Sequence, residues 1–534
     1  MIGSDPAVPV SARDSTRQLA RAGALLVVAG LISRILGWIR VLVITDIFGA
    51  SLELDAYFAA FRIPDALLQL VAGGVLSSVL IPLIADSRQR DEVRVWVLIR
   101  TISVILLGAL LALVAVAFVT VPLLVPLIAP GFTDPQREIT GDLTRVMLAS
   151  PLCFAVGAVA ASVLNSESRF RAAALAPIAY NVAIILGAVL LSPALGIFGV
   201  AVGVAVGAFL FLSVQLVPLL HHRVMTTPLT VDLKDRRAWQ ALRQLAPRSF
   251  GLAGSQAVFI VNTALASLLG TGAVTVYNLA FTILQVPIAL LGLPLGMVVF
   301  PSLARAVARG AHVEYRALLH RSLRFVAWGA ALLTVIAIVG REEIVELLFG
   351  HGALDREALE ALAAVVLAFM LGLGAHSLNL VLARAFYALH DTRTPVLATL
   401  GQVALSIAIA LAASPVLGVS GLAIAIAAGS WAKALTLFVL LATRHAALDL
   451  ASVVRPATAV VMPALGAFVA AYAADGLMLG VSASWPPTVA AAAGLITVAV
   501  AATSAHLLAS QALGLPEGRR LYGMAASLRR GAGA

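Results

Sequence analysis

Apolar positions along the 534-residue chain fall into long unbroken runs, each closed by a short polar segment. A bilayer core of roughly 30 Å takes about 20 apolar residues per helix. Runs of that kind lie at 22–49, 56–84, 96–128, 143–164, 172–192 and 196–220, and a polar stretch from His221 to Arg248 follows them. Eight more lie at 248–270, 273–303, 323–340, 359–388, 395–413, 419–442, 456–478 and 487–512. The pattern predicts an all-α polytopic membrane protein of about fourteen transmembrane helices. The first run is too long for a signal-peptide core and carries Arg34 and Arg40, so it reads as a retained helix and not a cleaved leader.

Composition sharpens this picture. With 61% apolar and 12% charged residues the chain lies far from the soluble average of about 25% charged, which excludes a soluble enzyme. The polar stretch is too short to build a core of its own. The single cysteine, Cys153, sits in an apolar run and excludes an intramolecular disulfide or a cysteine metal cage. The formal charge of +10 raises the question of nucleic acid, and its distribution answers for a membrane instead. With the N-terminus in the cytoplasm, 27 of the 36 cations fall in cytoplasmic segments and three (Arg137, Arg341, Arg356) on the opposite side. Both termini are therefore expected in the cytoplasm, with no nucleic-acid partner.

The chain also repeats itself. Ser192-Pro-Ala-Leu-Gly-Ile-Phe-Gly199 recurs as Ser414-Pro-Val-Leu-Gly-Val-Ser-Gly421, and Ala56-Tyr-Phe-Ala-Ala-Phe-Arg-Ile63 aligns with Val276-Tyr-Asn-Leu-Ala-Phe-Thr-Ile283 at nearly the same offset. Each unit holds six runs, an even number, so the two copies are expected to be parallel repeats, an arrangement suited to rocking about a central cavity. The organisation reads as an N-terminal tail (1–20), an N-lobe (21–220), a linker (221–247), a C-lobe (248–443), two further helices (444–512) and a C-terminal tail (513–534).

Ionisable residues inside the runs need a reason, because each costs at least about 2.5 kcal/mol on insertion scales. Arg34 and Arg40 are six positions apart on the first helix, about 9 Å along its axis and about 120° around it, and Arg62 lies early in the second. Asp46, Glu53 and Asp55 cluster at the turn between these helices. One reading is structural, with arginines snorkelling to an interface or pairing with Asp55. The other is an anion site, since guanidinium groups bind phosphate through parallel hydrogen bonds and stay charged in the membrane. Gly23, Gly30 and Gly37 recur every seven residues as a seam for close helix packing. Asn181, Asn262, Asn278, His376 and Asn379 are expected to hydrogen-bond between helices. No HExxH, P-loop, GxSxG or paired-carboxylate pattern occurs, so neither catalysis, metal nor cofactor is expected.

Ser33-Arg-Ile-Leu-Gly-Trp-Ile-Arg40, Phe48-Gly-Ala-Ser51, Leu54-Asp-Ala-Tyr-Phe-Ala-Ala-Phe-Arg-Ile-Pro64 and Gly73-Gly-Val-Leu-Ser-Ser-Val-Leu-Ile-Pro82, continued by Ala129-Pro-Gly-Phe132, Leu164-Asn165, Pro177 and Asn181, resemble the MurJ/MviN lipid II flippases. The resemblance covers roughly 20–443. It implies the multidrug/oligosaccharidyl-lipid/polysaccharide exporter fold, a bacterial cytoplasmic membrane location, and a lipid-tail groove formed by the last two helices. The implied substrate is lipid II, the undecaprenyl-pyrophosphate-linked disaccharide pentapeptide, moved to the outer leaflet by alternating access without bond chemistry. Membrane lipids and cell-wall synthesis proteins are its implied partners. Arg34, Arg40 and Asp55 fall on positions resembling the family's cavity residues, and Arg62 on its commonly basic position before the Leu/Ile-Pro pair. Leu68 and Thr282 stand where many members carry Arg, and Val41 where an acid often stands. An exporter of another polyprenyl-linked glycan and a non-transporting scaffold of the same fold therefore stay open. Members with a sodium site hold the ion among the seventh, eleventh and twelfth helices, yet 248–270 and 395–413 contain no acid. Lys433, mid-way along the twelfth run, is expected to stand in for the ion beside Gln402 and Ser406, or else to help bind pyrophosphate.

Overall fold

The computed structural model describes residues 12–72, 92–166, 169–220, 230–445 and 450–517. The helices are α1 (Ala12–Phe48), α2 (Leu52–Ala72), α3 (Glu92–Ile128), α4 (Asp134–Met147), α5 (Ala149–Ser166), α6 (Phe170–Leu186) and α7 (Phe198–Leu216), followed by α8 (Arg236–Ser267), α9 (Ala273–Ala308), α10 (His312–Val339), α11 (Arg341–Phe349), α12 (Arg356–Met370), α13 (Leu373–Ala388), α14 (Arg393–His445), α15 (Leu450–Ser482) and α16 (Pro487–Ala512). Eleven helical segments among the described residues are long and apolar enough to cross a bilayer. One of them, Arg393–Arg444, is two helices in series, because Gly418 breaks α14 with φ 57° and ψ −139°. The seventh run appears as the shorter apolar helix Gln256–Ser267, and the second as α2, described as far as Ala72. Each of the fourteen runs thus has its helix.

The structure differs from the hydrophobic pattern mainly at helix ends. Helix α1 starts at Ala12, inside the expected tail, and α8 at Arg236, inside the expected linker, because backbone hydrogen bonding does not stop at the bilayer surface. The fourth run is preceded by α4, whose buried residues include Gln136, Thr140 and Thr144. An amphipathic helix of this kind escapes a search for uninterrupted apolar runs.

The duplication extends to backbone conformation. Gly196 turns the chain with φ 57° and ψ −141°, nearly the angles of Gly418, its counterpart in the repeat. A side chain is strained at this φ, which explains why glycine stands at both turns. Two compact units carry the fold. The first comprises residues 1–47, 59–125 and 134–253, and the second 48–58, 126–133 and 254–534. The corner between α1 and α2 and the end of α3 therefore count with the second unit, a division the sequence reading did not draw.

Within the second unit the last helix is held to α10 by polar contacts. Trp328 donates its indole N–H to Ser510 Oγ at 2.9 Å, and Arg324 pairs at 2.6 Å with the buried Glu517, which follows that helix. The His506 ring lies 4.7 Å from that of Trp328. Such contacts fix a helix that lipid-like packing alone would leave free to rotate.

Candidate functional site

In the first unit, α1 and α6 meet along a polar seam. Asn181 donates its amide to the Ser33 carbonyl at 3.3 Å and to the Pro177 carbonyl of its own helix at 3.0 Å. Gly37 faces the same side chain, with the Asn181 Oδ1 3.9 Å from where a Cβ would stand. One turn further along α1, the Arg40 guanidinium lies 5.9 Å from the centre of the Tyr180 ring, within reach of a cation–π attraction. Arg34 is exposed, and Arg40 and Arg62 are half-buried. All three arginines belong to the first unit. The expected glycine seam is not a close approach at either position: Gly30 has open space where its Cβ would stand, and at Gly37 a Cβ would meet Asn181 only at ordinary van der Waals distance.

Asp55 is fully buried and belongs to the second unit. Its carboxylate accepts hydrogen bonds from Gly272 N at 2.6 Å, from Thr275 N at 2.7 Å and from Thr275 Oγ1 at 2.6 Å. The first turn of any helix leaves backbone N–H groups without partners. Helix α9 cannot cap itself, because its N-cap residue is Gly272, at φ 83° and without a side chain. A Cβ there would meet Ala50, so the position is closed to Ser, Asp or Asn. Asp55 supplies the missing cap from 217 residues away, and its charge suits the positive end of the helix. By contrast α2 is capped locally, Ser51 Oγ accepting from Leu54 N at 3.2 Å. Ala56 and Val276 are equivalent in the repeat, so Asp55 corresponds to Thr275: the two repeats meet at equivalent first turns. This cap could have been suspected from that alignment, yet Thr275 and Gly272 carried no signal of their own.

The remaining predicted residues lie in the second unit. The Thr282 hydroxyl donates to the Asn278 carbonyl of its own helix at 2.8 Å, and the Asn278 amide to the Val274 carbonyl of the same helix at 2.7 Å. Asn262 does bridge helices, donating to the Tyr277 hydroxyl at 2.9 Å. Around Ser430 a polar cluster joins α13 to both halves of α14. Gln402 donates to Ser430 Oγ at 3.0 Å, the His376 ring approaches the same oxygen at 3.2 Å, and Asn379 donates to the Ser430 carbonyl at 3.0 Å. Gly429 permits this approach, since a Cβ there would run into Ser406. Lys433, half-buried and one turn beyond Ser430, lies close enough to act electrostatically on His376. Ser430, buried completely, is the hub that the sequence did not reveal.

Two sets of six membrane-crossing runs, with arginines in the first unit and a helix capped by a distant aspartate in the second, describe a polytopic all-helical membrane protein built on an internal duplication. An inward-facing multidrug resistance transporter of the MATE family in the MOP superfamily shares the fold, with a TM-score of 0.64 at 16% identity over 79% of this chain and 98% of that one. A lipid II flippase MurJ in an inward closed conformation has a TM-score of 0.74 at 20% identity over 90% and 98%. The sequence model of the family described as lipid II flippase MurJ matches residues 44–490. The lipid II flippase MurJ of Burkholderia cenocepacia is 32% identical over 428 residues, 78% of this chain and 82% of that protein. A probable lipid II flippase MurJ of Rhizobium meliloti is 30% identical over 488 residues, 89% and 90%. The chain belongs to the MurJ lipid II flippase family, a family of membrane transporters and not of enzymes.

Proposed function

We propose that this protein carries lipid II from the cytoplasmic to the outer leaflet by alternating access, with both termini in the cytoplasm. The observation that carries the reading is the set Arg34, Arg40 and Arg62, three guanidinium groups within or beside apolar runs; Arg62 lies in the stretch matched by a family whose members are named for this substrate, and Arg34 and Arg40 precede that stretch on positions that resemble the family's motif. A pyrophosphate head group carries the charge and acceptor geometry that guanidinium donors match. The prenyl tail can remain in lipid throughout, so only the head group needs a polar path. Asp55 belongs to this machinery as the cap that ties the α1–α2 corner to α9. Depletion of the protein, followed by an assay of which leaflet exposes lipid II, tests the reading. Lipid II should accumulate facing the cytoplasm, whereas unchanged outer exposure contradicts it.

Lys433 carries a second part of the proposal. Its ammonium supplies a positive charge in the second unit, within electrostatic reach of His376, whose ring meets Ser430 and through it Gln402, in the region where the family resemblance implies a sodium site in some members. A fixed charge needs no ion to be bound and released, so transport is expected to proceed equally in sodium-containing and sodium-free vesicles. Lys433→Ala should lower the rate by about tenfold, the effect of losing one charged contact of about 1.4 kcal/mol. A sodium requirement in the unmodified protein contradicts this assignment.

A further inference from the structure

Helix α11 is a short piece between two membrane-crossing segments, and beside it lies a cavity of roughly 820 Å³ lined by α11, α12, α14, α15 and α16. Glu343 of α11 reaches across this space to Asp475 of α15. We propose that Glu343 and Asp475 share one proton and form a pH-sensitive clasp that holds α15 and α16 on α11.

Glu343 and Asp475 line the same cavity, and their carboxyls interact with each other. Two carboxylates have only acceptors, so a bond between them requires that one carry a proton. One oxygen of each carboxyl, Glu343 Oε2 and Asp475 Oδ1, is buried without a hydrogen-bond donor from the rest of the protein. No cation neutralises the pair either, because the nearby arginines are engaged elsewhere. Arg341 pairs with Glu342 at 2.6 Å and donates to the Ile338 carbonyl at 3.0 Å. Arg356 pairs with Glu360 at 3.2 Å and lies 4.0 Å from Glu346. These are the charged groups that line the cavity from α11 and α12; α15 contributes Asp475, and the α14 and α16 residues lining it carry no titratable side chain. The surplus is acidic, which favours retention of a proton. Burial is the main cause that pushes the Glu343 carboxyl up to about 7, with the Asp475 and Glu342 charges acting in the same direction.

The third helix is held by shape. Gly494 of α16 lies against the Glu343 stem, so that a Cβ there would stand 3.1 Å from Glu343 Cγ. Glu343 thus touches α16 with its methylenes and α15 with its carboxyl. Loss of the shared proton leaves two adjacent buried negative charges, which separate into water and release both helices together. The clasp is independent of which lipid the protein carries.

The sign follows from the raised value. A separated Glu343 in water titrates in the ordinary carboxylate range, so the closed clasp is fully stabilised below that range and loses stability as pH rises toward about 7. Hydrogen exchange of the full chain in lipid nanodiscs, corrected for the intrinsic pH dependence of amide exchange, reads this directly. Peptides covering 341–349 and 487–494 should lose protection by about tenfold per pH unit between roughly pH 5 and 7, with peptides from α5 unaffected. In Glu343→Gln the amide bonds the Asp475 carboxylate without titrating, and the loss should disappear. Asp475→Asn should behave the same way and serves if the first variant does not fold. A pH-independent wild type, or a slope kept in these variants, overturns the clasp.

Discussion

Cells that depend on this protein and carry Arg34→Ala together with Arg40→Ala should stop growing, although the variant protein inserts in the membrane at normal levels. Each arginine brings a charge-assisted donor set to an anionic head group, and loss of one such contact costs about 2 kcal/mol. Removal of both should therefore lower transport by roughly a thousandfold. Lysine at both positions restores charge but not the planar donor fork, so it should rescue growth only in part. Insertion should survive because Arg34 is exposed and Arg40 contacts Tyr180 from the edge of the α1–α6 seam, while the Asn181–Ser33 bond that joins these helices remains. Immunoblotting of membranes alongside growth separates loss of transport from loss of protein. Normal growth of the double alanine variant would remove the anion site.

Asp55→Ala should damage the protein by a different route. It deletes an acceptor of three short hydrogen bonds and leaves the N–H groups of Gly272 and Thr275 buried without a partner. A lost bond to a charged group is worth about 1.5–3 kcal/mol, so the local destabilisation should reach at least about 3 kcal/mol. Asp55→Asn should be nearly as harmful, since its amide N–H₂ group would face donors where the carboxylate presents acceptors. Hydrogen exchange across the first turn of α9 should rise by about a hundredfold in either variant, with α12 unchanged as the internal control. The α1–α2 corner should lose protection in parallel, because the same bonds hold it to α9. Unchanged exchange at 272–276 in Asp55→Ala would show that the cap is dispensable.

These two sites differ in how far the sequence disclosed them. A bilayer admits few charges, so Arg34, Arg40 and Arg62 stand out from the apolar runs without any knowledge of their neighbours. The same filter makes the fourteen runs visible, and the repeat is legible down to the shared turn at Gly196 and Gly418. Asp55 was visible as an acid at a helix start, but its partners were not. Its role depends on Gly272, a residue that matters through the side chain it lacks, and on a contact spanning 217 residues of chain. Ser430 stayed hidden for a similar reason, since a serine in an apolar helix ordinarily bonds its own backbone. Glu343 and Asp475 stand far apart in the chain, on α11 and α15. Only their placement across α11, α15 and α16 makes them a pair.

The central claim is that the protein itself moves lipid II and that the arginines are what binds the head group. Purified protein reconstituted into vesicles with fluorescent lipid II, followed by accessibility of the head group to a membrane-impermeant reagent, tests this most directly. The account predicts rapid loss of leaflet asymmetry with the unmodified protein and none with Arg34→Ala, Arg40→Ala. Retention of asymmetry with the unmodified protein, or equal rates for both, would contradict it.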